Sequence, residues 1–258
     1  MKIYPKKSLG QNFLQDKNTI QKLISAISPL ENDHLVEIGP GLGALTSGLL
    51  NKVKNLEVIE LDQNLITELQ IRFNNLSIYK ADVLKFDFCS LKNNERKLRI
   101  VGNLPYNIST PLLFHLFKQL PCILDMHFML QKEVVDRLAA KPGNKAYGRL
   151  SVMTQYWCKV EPLLAIPPQV FFPVPKVDST FVRLTPHQKI FIEATDITNL
   201  ENTVKQAFSM RRKTIQNCLK GLVTSEQLVS LNIDPKSRAE QLSIADLVRI
   251  SNFRVNVE

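Results

Sequence analysis

The sequence predicts an α/β fold: a mostly parallel sheet covered on both faces by helices, followed by a small all-helical domain. Three observations carry this. Short apolar runs alternate with helical periodicity through the first 130 residues, as strands buried on both faces require. Beyond about residue 157 two strand-like runs follow one another without a helix between them. From about 188 onward only helical patterns remain.

The elements follow in order. Ile20, Leu23, Ile24 and Ile27 share one face of a helix. "HLVEI" at 34–38 reads as the first core strand, and Leu45, Leu49 and Val53 form the apolar face of the next helix. "LEVIEL" at 56–61 is a second strand, followed by a helix with Leu65, Ile66, Leu69 and Phe73 inward. "LSIYK" (76–80), "LRIVGN" (98–103) and "ILDMHFML" (123–130) complete the strand series. "VEPLLAI" and "STFVRLT", joined through a proline-rich connection, suggest an antiparallel hairpin at the sheet edge. In "SIADLVRISNF", Ser243 caps a helix with Asp246 three residues on. The expected division is 1–188 for the sheet domain and 189–258 for the helical one.

Composition narrows the function classes. The N-terminal "MKIYPKKSLGQNF" lacks the apolar run of a signal peptide. The longest uncharged apolar stretch, at 162–175, contains five prolines, which argues against a membrane helix. Cys89, Cys122, Cys158 and Cys218 are widely spaced with no C-x-x-C pair, so reduced thiols in a cytoplasmic protein are expected, with neither disulfide nor metal site. His34, His115, His127 and His187 are equally scattered and read as structural or surface residues. The net charge of +9 is unevenly spread. Residues 202–221 hold Lys205, Arg211, Arg212, Lys213 and Lys220 with no acid, and Lys2, Lys6 and Lys7 flank Tyr4. Such clustering suits a polyanion such as RNA, the bland alternative being a solvated helix face.

The polar groups fall at strand ends. "VEIGPGLGALT" carries Gly39, Gly41 and Gly43 after the first core strand, a turn that lets backbone approach a ligand. Glu60 ends the next strand, twenty-one residues after Gly39, where a carboxylate can accept both ribose hydroxyls of a nucleoside. Asp82, at the end of the third, could accept from an exocyclic adenine amine. Each acid singly could instead cap the helix after it.

The fourth strand runs into Asn103-Leu104-Pro105-Tyr106. An adenine N6 amine is a poor nucleophile because its lone pair is delocalised into the ring. Hydrogen bonds from its two N–H groups to the Asn103 amide oxygen and the Leu104 carbonyl would favour a pyramidal nitrogen. Pro105 holds residue 104 extended and fixes that carbonyl's direction, and Tyr106 offers a stacking face. The bland reading is a strand ending in an ordinary N-x-P turn.

"KKSLGQNFLQD", "VEIGPGLGALT", "VIELD", "VGNLPYNISTPLLFHL", "MLQKEVVDRLAAKPGNKAYGRLSV", "FFPVPKVDSTFVRL" and "RRKTIQNCL" occur in one order over nearly the whole chain. In this it closely resembles the ribosomal RNA adenine N6,N6-dimethyltransferases of the bacterial small-subunit type. The resemblance implies a class I, Rossmann-like methyltransferase fold that uses S-adenosylmethionine, with a C-terminal helical domain that helps engage RNA. It implies cofactor contacts at Asn12, Leu14, Gly39, Glu60, Asp82 and Asn103, and a base sandwiched between Tyr106 and Phe171. The implied partner is small-subunit rRNA within a ribosomal particle, the protein itself acting as a monomer. The rival within the fold is the antibiotic-resistance methyltransferase of large-subunit rRNA. A ribosome-assembly factor acting by binding alone and, more distantly, a nicotinamide oxidoreductase complete the alternatives.

Overall fold

The computed structural model describes residues 5–6, 10–92 and 96–255. The first elements are β1 (Phe13–Leu14), α1 (Lys17–Ile27), β2 (His34–Ile38), α2 (Ala44–Leu50), β3 (Asn55–Glu60), α3 (Gln63–Arg72), β4 (Ser77–Lys80), β5 (Leu98–Asn103), α4 (Ser109–Phe117) and β6 (Ile123–Gln131). Then follow α5 (Lys132–Leu138), α6 (Arg149–Trp157), β7 (Cys158–Ile166), β8 (Phe171–Phe172) and β9 (Ser179–Pro186). The chain finishes with α7 (Ile197–Ala207), α8 (Ile215–Cys218), α9 (Ser225–Ser230) and α10 (Ile244–Val255).

Seven strands form one sheet in the order β4-β3-β2-β5-β6-β9-β7. The pairs from β4 through β6 are parallel, and β9 runs antiparallel to β6. Thus β9 of the expected hairpin lies inside the sheet, with β7 beyond it. The chain builds outward from β2 to β4, then returns to β5 on the other side. This reversal opens a crevice at the carboxyl ends of β2 and β5, where open α/β sheets bind ligands.

Burial explains the central strands. Leu35, Val36, Val58, Ile100 and Val101 are almost fully buried, each stabilising the fold by about 1.5–3 kcal/mol. On α1, Leu23 and Ile27 are buried while Ile20 and Ile24 pack against the same cluster. Asp16 caps this helix through the Thr19 N–H (2.7 Å). The Ser243 cap is formed as expected: Asp246 accepts from the Ser243 N–H (2.8 Å), and its own N–H donates to Ser243 Oγ (3.1 Å).

The chain divides into two compact units, one of Met1–Val135 with Lys159–Pro186, the other of Asp136–Cys158 with His187–Glu258. The contiguous division at 188 therefore needs correction for 136–158. The physical reason is that α6 packs on α7 and α10, burying Leu150, Val152 and Met153. In that unit Tyr147 also meets the Phe208 ring edge-on at 5.9 Å.

One further correction concerns side chains remote in sequence. Cys89 and Cys122 are joined in a disulfide with Cα atoms 5.5 Å apart, against the expectation of four free thiols. A 3₁₀ turn at Phe88–Leu91 returns beside the connection entering β6, held by Gln119, whose Oε1 accepts from the Phe88 N–H (2.6 Å). Cys158 and Cys218 are free and buried. The histidines have structural settings: His34 meets Glu57 (2.8 Å), His115 the Phe86 carbonyl (2.7 Å) and His187 the Gln155 carbonyl (3.1 Å). His127 is fully buried against Phe181, and neither ring nitrogen has a hydrogen-bond partner among the described residues.

Candidate active site

A cavity opens at the carboxyl ends of β2, β3 and β5, and residues Gly10–Leu14 form part of its wall. Gly39, Gly41, Glu60, Asp82, Asn103 and Tyr106 all line it, so the strand-end groups singled out by sequence do converge.

The turn after β2 requires glycine. Gly39 and Gly41 adopt φ of +61° and +58°, in the left-handed region that L side chains avoid. At Gly41 there is also a steric reason, because a Cβ would sit 3.1 Å from the Phe13 ring.

Glu60 is 7% exposed. Its Oε1 accepts from the N–H groups of Leu61 (2.8 Å) and Asp62 (2.9 Å), and the Gly41 N–H also bonds the carboxylate. Burial raises its carboxyl above the ordinary range, against the lowering effect of those N–H donors. Asp82 Oδ1 accepts from the Leu84 N–H (3.0 Å), so one carboxylate oxygen shapes the turn. Glu37, which sequence reasoning passed over, also lines the cavity and is buried. Thr46 Oγ1 donates to it at 2.6 Å, and burial pushes its carboxyl up to about 7. The signal was an acid inside an otherwise apolar strand, "HLVEI".

Asn103 Nδ2 donates to the backbone carbonyl of Asn12 at 2.9 Å. A carbonyl cannot donate, so this contact fixes which end of the amide is nitrogen and leaves Oδ1 as an acceptor. Leu104 is buried, its N–H bonded to the Met129 carbonyl (3.3 Å). The turn beyond is held by Ile108 N–H to the Pro105 carbonyl (3.2 Å) and Ser109 Oγ to the Tyr106 carbonyl (3.0 Å). Tyr106 is half-buried, its hydroxyl 2.9 Å from Ser179 Oγ, and burial raises its phenol above the usual value.

Other predicted residues lie differently. Asn12 lines the cavity beside Leu14, whose side chain is buried in the hydrophobic core. Phe171 is 3% exposed, belongs to the same core cluster and is not among the cavity-lining residues. The open stacking face expected of it is therefore absent here. Pairing of β8 with β1 sets Phe171 opposite Leu14 and Phe172 opposite Phe13, and strand alternation turns Phe171 inward and Phe172 outward. Lys6 is not a free cation: its Nζ meets Asp62 at 2.8 Å, with Gln11 on the other carboxylate oxygen (3.3 Å). Lys7 lies outside the described residues. Arg211, Arg212 and Lys213 occupy an exposed turn after α7 in the other unit, where Arg211 donates to the Lys145 carbonyl. Among the described residues no group of three or more His, Cys, Asp or Glu side chains could hold a metal ion, and no helix is long and apolar enough to cross a membrane.

Residues 4–255 match the family described as ribosomal RNA adenine dimethylase. The chain belongs to this family. A ribosomal RNA small subunit methyltransferase A of Legionella pneumophila (strain Corby) is 53% identical over 99% of this chain and 100% of its own. One of Marinomonas sp. (strain MWYL1) is 50% identical over 98% and 96%. A dimethyladenosine transferase from Plasmodium falciparum superposes with a TM-score of 0.79 at 28% identity, over 92% of this chain and 95% of that one. The 23S rRNA methyltransferase ErmE gives 0.72 over 95% of this chain and 100% of its own; at 22% identity this likeness speaks for the fold alone. This dimethylase family member is an S-adenosylmethionine-dependent rRNA methyltransferase with a Rossmann-like sheet. The lining fits that cofactor: the buried carboxylates of Glu37 and Glu60, a further acid at Asp82 and the left-handed glycine turn all border one cavity.

Proposed function

We propose that the enzyme methylates N6 of two adjacent adenosines near the 3′ end of small-subunit (16S) rRNA, giving N6,N6-dimethyladenosines during subunit assembly. The observation that carries the reading is the Asn103 amide. Its nitrogen is committed to Asn12, and Asn103 lines the same cavity as Glu60 and Asp82. Small-subunit specificity rests on relatives of 50–53% identity that bear that name over nearly their whole length.

In this reading the Glu60 carboxylate holds the ribose hydroxyls, Asp82 the adenine amine of the cofactor, and the Gly39–Gly41 turn and Asn12–Leu14 enclose the rest. S-adenosylmethionine, when bound, supplies a methyl group on a cationic sulfur, open to in-line displacement. Asn103 Oδ1 and the Leu104 carbonyl accept from the target amine and turn its lone pair toward the methyl. Tyr106, braced by Ser179, stacks on the base of a flipped adenosine. As the new N–C bond formed, the methyl–sulfur bond would break to leave a neutral thioether, and the nitrogen, then cationic, would pass its proton to water, so attack needs no base beforehand. The basic turn at Arg211, Arg212 and Lys213 engages rRNA phosphates. The substrate is a small-subunit particle, met by a monomeric enzyme in the cytoplasm.

The test is transfer of labelled methyl from S-adenosylmethionine to unmethylated small-subunit particles, with the modified bases mapped. Two dimethylated adjacent adenosines are expected. Label only in large-subunit RNA, or none, would overturn the reading.

A further inference from the structure

We propose that Phe172, with Val174 and Val177, forms a stacking ledge for the nucleotide next to the adenosine undergoing methylation. This rests on the rRNA reading above and adds a substrate contact outside the cavity.

Three apolar side chains within six residues face solvent: Phe172 is 49% exposed, Val174 59% and Val177 43%. Such a cluster marks a contact surface more often than isolated exposed residues do. The segment is pinned at both ends. At one end Phe172 pairs with Phe13 in the β1–β8 ladder, and the Gln15 N–H donates to the Val170 carbonyl (2.9 Å). At the other, Ser179 pairs with Gln131 in the β6–β9 ladder, and the Lys132 N–H donates to the Asp178 carbonyl (2.9 Å). Pro173 and Pro175 restrict the backbone between. Little conformational entropy is therefore lost when something lands on it.

Position decides the occupant. Phe13, the register partner of Phe172, lines the cavity, and Ser179, where the ledge ends, touches the Tyr106 hydroxyl. The ledge is thus continuous with the wall that receives the target base. An adenosine turned into the cavity leaves its neighbour unstacked, and an exposed aromatic face is what an unstacked base seeks. Strand alternation supplies that face here, because the same register that buries Phe171 turns Phe172 outward.

The test compares Phe172→Ala, Phe172→Leu and Phe172→Trp in the full-length enzyme on unmethylated small-subunit particles. KM for the particle, kcat, cofactor affinity by calorimetry and sedimentation are measured for each. Ala and Leu should each raise KM roughly tenfold, with kcat and cofactor affinity unchanged and with Trp close to wild type, since base stacking needs a π face. A Leu variant with wild-type KM would reduce Phe172 to apolar packing and overturn the proposal. So would normal KM in all three, or a shift in sedimentation without a change in KM, which would assign the ledge to a second copy of the chain. If the wild-type enzyme itself transfers no methyl to the particle, the rRNA reading fails first; if it does and the variants match it, only the ledge fails.

Discussion

Replacing Asn103 with alanine removes two interactions that can be measured apart. The first is the donor bond from Nδ2 to the Asn12 carbonyl, 2.9 Å long and partly buried. A neutral hydrogen bond of this kind contributes about 1 kcal/mol. Its loss should loosen the Gly10–Leu14 wall and weaken cofactor binding by up to about fivefold. The second is the Oδ1 acceptor which, on the proposed mechanism, takes a hydrogen bond from the target amine and matters most as charge develops on nitrogen. Loss of one oriented polar group at such a point costs on the order of a hundredfold in rate, about 2.7 kcal/mol. At saturating cofactor and particle the first effect disappears and the second remains, so single-turnover methyl transfer isolates it. Asn103→Asp keeps an acceptor but sets an anionic oxygen against the Asn12 carbonyl, so its defect should include a larger loss of cofactor affinity. A near-normal single-turnover rate for Asn103→Ala would refute the clamp and leave "NLPY" as a strand-ending turn.

Glu60→Ala should weaken cofactor binding by about 1.5–3 kcal/mol for each charged hydrogen bond lost, and unchanged affinity by calorimetry in a folded variant would contradict the ribose assignment. His127 should make the fold acid-labile. Burial, opposed by Asp125 and reinforced by Arg99 and Arg183, lowers its pKa from 6.5 to about 4. Its contribution is present above the unfolded pKa and is lost as pH falls from 6.5 toward 4. Between neutral pH and about pH 5, wild type should lose roughly 2 kcal/mol more than His127→Phe in denaturant unfolding; parallel pH profiles would rule this out. Neutralising Arg211, Arg212 and Lys213 together should flatten the salt dependence of particle binding by about 0.9 per lost phosphate contact if rRNA behaves like B-DNA, and an unchanged slope would mark the turn as merely solvated.

Much of this protein was legible without coordinates because the relevant signals are local. Apolar runs announced β2 through β6, although β4, at the sheet edge, is only part-buried, and a serine three residues before an acid announced the start of α10. Glycines at 39 and 41 announced a left-handed turn, and Glu60 was found because a ligand at a parallel sheet meets strand ends. The tertiary structure alone decided what depends on segments far apart meeting. Asn103 and Asn12 lie 91 residues apart, and their contact gives the amide its orientation. Lys6 and Asp62, 56 apart, form an ion pair that composition had read as a free cation. Cys89 and Cys122 meet across 33 residues, and 136–158 joins helices from beyond 187. For Phe171 and Phe172 the sequence offers two rings in a row, and a one-residue change in register would exchange their faces. Periodicity reports that side chains alternate; which of them turns inward is set by the strand that pairs beside them.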